Sequence, residues 1–280
     1  MNGIGVVGGG TMGAGIAYVF ATAGVATAVV EPDPVAASGL HGTLVARARR
    51  GVERGKLDAE RAAALGDLIT VVDRVEALPG GLDLVVETVP ERQALKVEVL
   101  AAVERRRPRL LASNTSALSI DDLAAGLAAP DAFLGMHFFN PVWSIALVEV
   151  VRGAATSDDA IAAARAAAEV IGKESIVVRN VPGFATSRLD NIAAFEAMRM
   201  LEEGVADAAD IDRAAVVAYG HPIGPLRLSD VVGLDVRLDI ARHLAATYGE
   251  RYAPPAILER MVARGDLGRK TGRGFFDWRD

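Results

Sequence analysis

The amino-acid sequence predicts an α/β protein whose last hundred residues are all helical. Up to residue 180, short apolar runs alternate with helical patterns, as they do in α/β folds. The runs show no alternation of polar and apolar residues, which is typical of parallel strands buried on both faces. After Asn180 only helical patterns follow. We therefore expect two domains, residues 1–180 and 181–280, close to the usual size of about 150 residues per domain.

Eight apolar runs are predicted to be the strands of the first domain. They cover residues 3–7, 25–30, 68–72, 82–86, 109–112, 133–138, 147–151 and 175–178. Helices are expected from residue 11 to about 23, within 33–65, and over 93–105 and 158–171. The stretch 33–65 is polar and rich in arginine, so its helices should be partly solvated. In the second domain, helices are expected over 184–203, 208–219, 229–248 and 255–263.

A glycine-rich turn lies between the first predicted strand and the first predicted helix. Gly8, Gly10 and Gly13 have the spacing of a dinucleotide-binding turn. In such a turn the first glycine permits the tight bend, the second lets the backbone approach a pyrophosphate, and the third lets the helix pack against the strand. Thr11 and Met12 then belong to a helix N-terminus whose free N–H groups face the phosphates. The sequence thus predicts a Rossmann-like domain.

Glu31 ends the second predicted strand, where an acidic residue accepts hydrogen bonds from the adenosine ribose. Its carboxylate would repel a 2′-phosphate. The predicted cofactor is therefore NAD rather than NADP.

The composition excludes several kinds of chemistry. The 280 residues include no cysteine and four histidines, and the formal net charge is −6. Without cysteine there can be no disulfide, thiolate nucleophile, zinc–thiolate site or iron–sulfur cluster, and we predict no metal site. The acidic balance argues against nucleic acid as a partner. A chain without cysteine fits a reducing compartment, so we expect a cytoplasmic protein.

The first thirty residues carry no charge and could pass for an export or membrane segment. However, the stretch lacks a positively charged start, and glycines crowd its middle. A buried strand, turn, helix and strand account for the missing charge. We expect neither a targeting segment nor a membrane span.

Seven further motifs occur in a fixed order after the glycine-rich turn. They are VETVPE (86–91), ASNTS (112–116), MHFFNP (136–141), LVEV (147–150), PGF (182–184), GP (224–225) and GRKTGRGF (268–275). This set resembles the L-3-hydroxyacyl-CoA dehydrogenase family, specifically its short monofunctional 3-hydroxybutyryl-CoA type, over about residues 3–278. The resemblance implies an NAD-dependent oxidoreductase of fatty-acid metabolism with an acyl-CoA substrate. It also implies a C-terminal domain with helices like those of 6-phosphogluconate dehydrogenase.

The resemblance implies roles for four residues around the substrate. His137 would be the general base that removes the proton of the 3-hydroxyl group, which suits a side chain that titrates near neutral pH. Glu149 would bind the other ring nitrogen and stabilise the imidazolium. Ser116 would hydrogen-bond the substrate oxygen, and Asn140 would help arrange substrate and cofactor. Glu149 also lies in an apolar strand, where a buried charge needs a partner.

The resemblance also implies contacts with the cofactor and with CoA. Glu91 and Lys96 would lie along NAD, and Lys270 would contribute from the C-terminal tail. Lys56 would lie near the CoA phosphates, although the arginines around it equally fit a solvated helix face.

A homodimer built largely through the helical domain is implied as well. The first helix of that domain has an apolar face that suits either its own core or a dimer interface; the face includes Ile192, Phe195, Met198 and Leu201.

At one position the sequence departs from the family. The family carries asparagine immediately before arginine in the helix after PGF, and Ser187 stands there in this chain. Serine has a shorter reach, and Asn191 lies one helical turn further on. Two alternatives therefore stay open. One is a dehydrogenase of the same fold for a free hydroxy acid or sugar acid, of the carnitine or L-gulonate type. The other is a non-catalytic NAD-binding or structural protein, against which the joint presence of His137, Glu149 and Ser116 argues.

Overall fold

A computed structural model describes residues 1–279 of the chain. The chain divides into two compact units, one spanning Met1–Val181 and one that begins at Pro182. The first unit contains every strand of the sheet, and the second contains helices and a C-terminal tail. Within residues 1–279, no helix is both long and apolar enough to cross a membrane.

One eight-stranded sheet forms the centre of the first unit, and each predicted apolar run contributes one strand. In space the strands lie in the order β3-β2-β1-β4-β5-β6-β7-β8. Their bounds are β1 (Ile4–Val7), β2 (Thr27–Val30), β3 (Ile69–Val72), β4 (Leu84–Glu87), β5 (Leu111–Ser113), β6 (Phe133–His137), β7 (Leu147–Arg152) and β8 (Glu174–Arg179).

The strand directions divide the sheet into two parts. Strands β1 to β6 are parallel, whereas β7 is antiparallel to β6, and β8 is parallel to β7. Residues 138–146 join β6 to β7 without a helix, and so short a connection permits only an antiparallel pair. Strand β8 lies at the edge and is largely exposed. The expected burial on both faces therefore holds for the central strands and is wrong for β8.

Six helices accompany the sheet: α1 (Thr11–Thr22), α2 (Pro34–Glu53), α3 (Ala59–Leu68), α4 (Gln93–Glu104), α5 (Ile120–Ala124) and α6 (Asp158–Val170). In α2 the buried residues are Leu40, Leu44 and Ala48, four apart, so the helix buries one face and leaves Arg49 and Arg50 in solvent. Helix α5 was not predicted, because five residues are too few to show a helical period.

The core of the first unit explains the uncharged start of the chain. Ile4 and Val6 of β1 are fully buried, and so are Ile16 and Phe20 of α1. The first strand and helix therefore lie in the middle of the unit, where an unpaired charge would be costly.

The second unit consists of α7 (Thr186–Glu202), α8 (Ala208–Tyr219), α9 (Pro225–Val232), α10 (Leu234–Tyr248) and α11 (Ala256–Arg264). The prediction of one helix over 229–248 is wrong, because Gly233 adopts φ 105° and separates α9 from α10. Phe195 and Met198 of α7 are fully buried in the core of this unit, and Ile192 and Leu201 pack against it. The apolar face of α7 is thus core.

A buried carboxylate fixes the C-terminal tail to the second unit. Asp230 Oδ1 accepts a hydrogen bond from the N–H of Phe275, and Oδ2 accepts from the N–H of Phe276 and from Trp278 Nε1, each at 2.9 Å. The glycine at position 274 of the GRKTGRGF motif is therefore explained by packing within this unit, since Asp230 leaves no room for a side chain there.

Candidate active site

The glycine-rich turn has the shape that a dinucleotide needs. Gly8 adopts φ 104°, and a Cβ on Gly13 would lie 1.8 Å from the carbonyl oxygen of Gly8. A Cβ on Gly10 would meet nothing within 4 Å, so that side of the turn is open. No side chain caps the N-terminus of α1. Its first N–H groups thus suit the pyrophosphate of a dinucleotide.

The Glu31 carboxylate lies against this turn. Its Oε2 accepts a hydrogen bond from the N–H of Gly9 at 2.9 Å, and its Oε1 accepts from the N–H of Asp33 at 3.0 Å. These bonds hold an acidic group beside the turn, where it can receive ribose hydroxyl groups and repel an added phosphate.

His137 and Glu149 are direct neighbours across two strands. The antiparallel register of β6 and β7 pairs the two residues, and Nδ1 of His137 lies 2.8 Å from Oε2 of Glu149. The histidine is 7% exposed and the glutamate 0%. An ionised Glu149 can only accept, which places the hydrogen on Nδ1 and leaves Nε2 as the nitrogen that can take up a proton. A histidine held in this way by a carboxylate is able to act as a general base.

A cavity of about 350 Å³ brings several predicted site residues together. It lies beside the carboxyl ends of β4, β5 and β6, where open α/β sheets bind ligands. The cavity is lined by residues of the glycine-rich turn, of three of the further motifs and of α4, namely Met12, Thr88, Val89, Glu91, Lys96, Asn114, Ser116, His137, Phe138, Phe139 and Asn140.

Glu91 organises the loop that carries Ser116. Its Oε1 accepts hydrogen bonds from the Thr115 hydroxyl at 2.6 Å and from the N–H of Ser116 at 2.9 Å. Burial opposes ionisation of Glu91, but the bonds from Thr115 and Ser116 and the charge of Lys96 outweigh it, so the pKa of Glu91 lies below its ordinary value. Glu91 is therefore an ionised acceptor that positions the serine.

Lys96 is buried in a carboxylate network. It is 1% exposed, and its Nζ lies 2.8 Å from Glu87 Oε1 and 3.2 Å from Glu91 Oε2. The positive charge is thus shared between two carboxylates at the cavity wall. Glu87 itself was not predicted as a site residue, although a carboxylate that ends an apolar strand in the VETVPE motif was a usable signal.

Asn114 is a second residue that sequence reasoning missed. Its side-chain oxygen accepts a hydrogen bond from the N–H of Phe138 at 2.9 Å. The bond fixes the backbone immediately after His137, at the point where β6 ends. Its position inside the ASNTS motif could have indicated that Asn114 belongs to the site.

Comparison with known protein families agrees with this geometry. The family model for the NAD-binding domain of 3-hydroxyacyl-CoA dehydrogenase matches residues 3–181, and the model for its C-terminal domain matches residues 183–278. The chain belongs to the 3-hydroxyacyl-CoA dehydrogenase family. The predicted α/β fold with a helical C-terminal part is thereby confirmed, and NAD is the cofactor.

Relatives of this dehydrogenase match over nearly their whole length. A 3-hydroxybutyryl-CoA dehydrogenase of Mycobacterium tuberculosis is 42% identical over 98% of both chains. A probable 3-hydroxybutyryl-CoA dehydrogenase of Bacillus subtilis is 37% identical over 98% of this chain and 96% of its own. The crystal structure of the (S)-3-hydroxybutyryl-CoA dehydrogenase of Ralstonia eutropha matches with a TM-score of 0.93 and 37% identity over 99% of both chains.

Lys56 of the dehydrogenase lies in a second, larger cavity of about 970 Å³ in the first unit. Five cationic side chains of α2, α3 and their connection line it, namely Arg47, Arg50, Arg54, Lys56 and Arg61. We call it the basic cavity. Trp143, Tyr18 and Leu57 supply apolar surface, so the cavity offers both positive charge and aromatic contact.

Lys270 and Ser187 belong to the second unit of the dehydrogenase. Lys270 Nζ lies 2.6 Å from both carboxylate oxygens of Asp235, and this bond holds the pKa of Asp235 below its ordinary value. Asn191 is 1% exposed; its amide donates to the Ser187 carbonyl at 2.7 Å and accepts from Arg237 at 3.0 Å. Both ends of the Asn191 amide are thus engaged inside the unit.

Proposed function

We propose that the chain catalyses the reversible oxidation of (S)-3-hydroxyacyl-CoA to 3-oxoacyl-CoA, with a short acyl chain such as 3-hydroxybutyryl. The His137–Glu149 pair at the wall of the smaller cavity carries this proposal. The names of the relatives support the thioester and the short chain.

The proposed roles follow from the groups in the cavity. Nε2 of His137 takes the proton from the 3-hydroxyl group, and the adjacent Glu149 carboxylate stabilises the imidazolium that forms. The bound cofactor NAD would supply the acceptor for the hydride that leaves C3. The Ser116 hydroxyl, on the loop that Glu91 holds, donates a hydrogen bond to the substrate oxygen. Asn140 lines the same cavity and orients substrate and cofactor.

The basic cavity is the proposed site for the nucleotide part of CoA. That part carries three phosphate groups and an adenine ring, and the cavity combines aromatic surface with six cations, the five named above and Lys173. Lys56 would contact the phosphates as one of these cations. The same proposal assigns the turn residues, Glu31, Glu91 and Lys96 to the binding of NAD. Lys270 is also proposed to contact the cofactor.

The substrate assignment is tested by NADH oxidation with acetoacetyl-CoA. We expect the kcat/KM for acetoacetyl-CoA to exceed that for free acetoacetate by about 10³-fold or more, because remote binding of CoA lowers the barrier. NADPH should support much slower turnover than NADH because of Glu31. Carnitine and L-gulonate, assayed with NAD, serve as controls. Faster turnover of any free acid overturns the substrate assignment, and a preference for NADPH overturns the role of Glu31.

The second unit is further proposed to pair with a second copy of the chain. The family resemblance supports a homodimer. Leu189, Val217 and Tyr219 are large apolar side chains that stay exposed on α7 and α8, whereas the face with Phe195 is core. We expect a solution mass of twice the 29.2 kDa chain in light-scattering measurements. A mass equal to one chain at micromolar concentration contradicts the homodimer. A cytoplasmic location belongs to the same proposal.

A further inference from the structure

One loop of the first unit contributes to the walls of both cavities. It consists of residues 140–146, between β6 and β7, and we call it the shared loop. Asn140 lines the cavity of His137, while Trp143, Ser144 and Ile145 line the basic cavity. Asn140 and Trp143 are three residues apart, so their Cα atoms lie within about 11 Å of each other. A displacement of this loop would therefore change the walls of both cavities.

Lys173 holds the shared loop through two main-chain carbonyls. It is 8% exposed, and its Nζ donates hydrogen bonds to the carbonyl oxygens of Val142 at 2.6 Å and Ile145 at 2.5 Å. Next to it, the N–H of Glu174 donates to the carbonyl of Ala146 at 2.8 Å. Burial lowers the pKa of Lys173, which is the cost of placing an ammonium group there. The ammonium fixes two points of the loop, one on each side of Trp143.

Trp143 connects the shared loop to the arginines of the basic cavity. The Arg47 guanidinium lies 3.4 Å from the centre of the Trp143 ring, and the Tyr18 ring meets it edge-on with centres 6.3 Å apart. Helices α1 and α2 are therefore in contact with the loop that Lys173 holds. Arg47 and Trp143 thus form a direct contact between α2 and the loop that begins at Asn140.

We infer that Lys173 is a positioning residue that couples binding in the basic cavity to the geometry at His137. This inference rests on the proposed function, because it takes the nucleotide part of CoA as the ligand of the basic cavity. With the loop held at Val142 and Ile145, contacts made at the arginines orient the thioester end of the substrate. Binding energy from a remote part of a substrate accelerates a reaction only if it is used at the reacting centre in this way.

The test compares two substrates in wild type and in Lys173→Met. Acetoacetyl-CoA carries the nucleotide, and acetoacetyl-pantetheine has the same thioester without it. We expect Lys173→Met to lower kcat with acetoacetyl-CoA by about 10- to 100-fold, and kcat with acetoacetyl-pantetheine by less than about threefold. Acetoacetyl-pantetheine makes no contact in the basic cavity, so the loss of Lys173 should change its kcat little.

Two further variants serve as controls. Lys173→Arg keeps the charge and the donors, and should restore most of the preference for acetoacetyl-CoA. Arg179→Met removes an exposed cation from the neighbouring strand β8 and should behave as wild type with both substrates. If Lys173→Met fails to fold by circular dichroism, Trp143→Leu removes the other contact of the shared loop and should show the same unequal loss.

The possible results distinguish the coupling by Lys173 from the assignment of CoA to the basic cavity. Wild type that uses both substrates equally well overturns the assignment of CoA to the basic cavity, and the coupling with it. Wild type that prefers acetoacetyl-CoA, together with an equal loss on both substrates in the variant, overturns the coupling alone. An equal loss is what a purely structural role of Lys173 would produce. Lys173 itself lines the basic cavity, so a raised KM for acetoacetyl-CoA at unchanged kcat would report a direct contact with the nucleotide and would also overturn the coupling.

Discussion

Glu149→Gln is expected to lower kcat for acetoacetyl-CoA reduction by about 10²- to 10³-fold. In the reducing direction His137 must hold a proton and give it to the substrate oxygen. The fully buried Glu149 carboxylate supplies the negative charge that stabilises this imidazolium at 2.8 Å. Glutamine has similar volume but no charge, and its NH₂ group can face Nδ1 and force the wrong tautomer. The substitution thus weakens proton transfer without removing the histidine.

Stopped-flow and steady-state rates of NADH oxidation provide the measurement. Glu149→Asp retains the charge at a shorter reach and should lose less activity than the glutamine variant. The NADH dissociation constant, obtained by fluorescence titration, should stay close to the wild-type value, because Glu149 is not among the groups at the glycine-rich turn. A glutamine variant with wild-type kcat would show that the carboxylate has no part in the reaction.

The sequence predicted the fold well because its signals are local. Continuous apolar runs mark buried strands, and the turn with Gly8, Gly10 and Gly13 marks the first crossover. The break at Gly233 was missed, because glycine is tolerated inside a helix and only its φ of 105° shows that the helix ends there. The direction of β7 follows from the helix-free connection of residues 138–146, which an apolar run by itself does not reveal.

The candidate site was predictable where a physical need is visible in the sequence. A glutamate in an apolar strand needs a partner, and His137 faces Glu149 across the sheet. The surroundings of Lys96 were not predictable, because Glu87 and Glu91 approach it only after β4 and α4 are packed. Lys173 is a similar case, since its partners are carbonyl groups of a loop far away in the sequence.

In the proposed mechanism His137 exchanges the proton of the substrate, and His137→Gln removes this ability. Glutamine can hydrogen-bond Glu149 but cannot take up or release a proton, so the path between substrate and solvent is lost. Since general acid–base catalysis contributes about 10²- to 10⁴-fold, we expect kcat with acetoacetyl-CoA to fall by about 10³-fold or more. The variant should keep its fold, because the cavity wall accepts a polar side chain of smaller size.

The decisive measurement is the rate of acetoacetyl-CoA-dependent NADH oxidation by His137→Gln, taken together with its NADH dissociation constant. Turnover is expected to fall by about 10³-fold or more at a nearly unchanged NADH affinity. His243→Gln, which alters a histidine on α10 of the second unit, should behave as wild type in both respects. Wild-type turnover in His137→Gln would contradict the account, because the proton would then have to pass through another group.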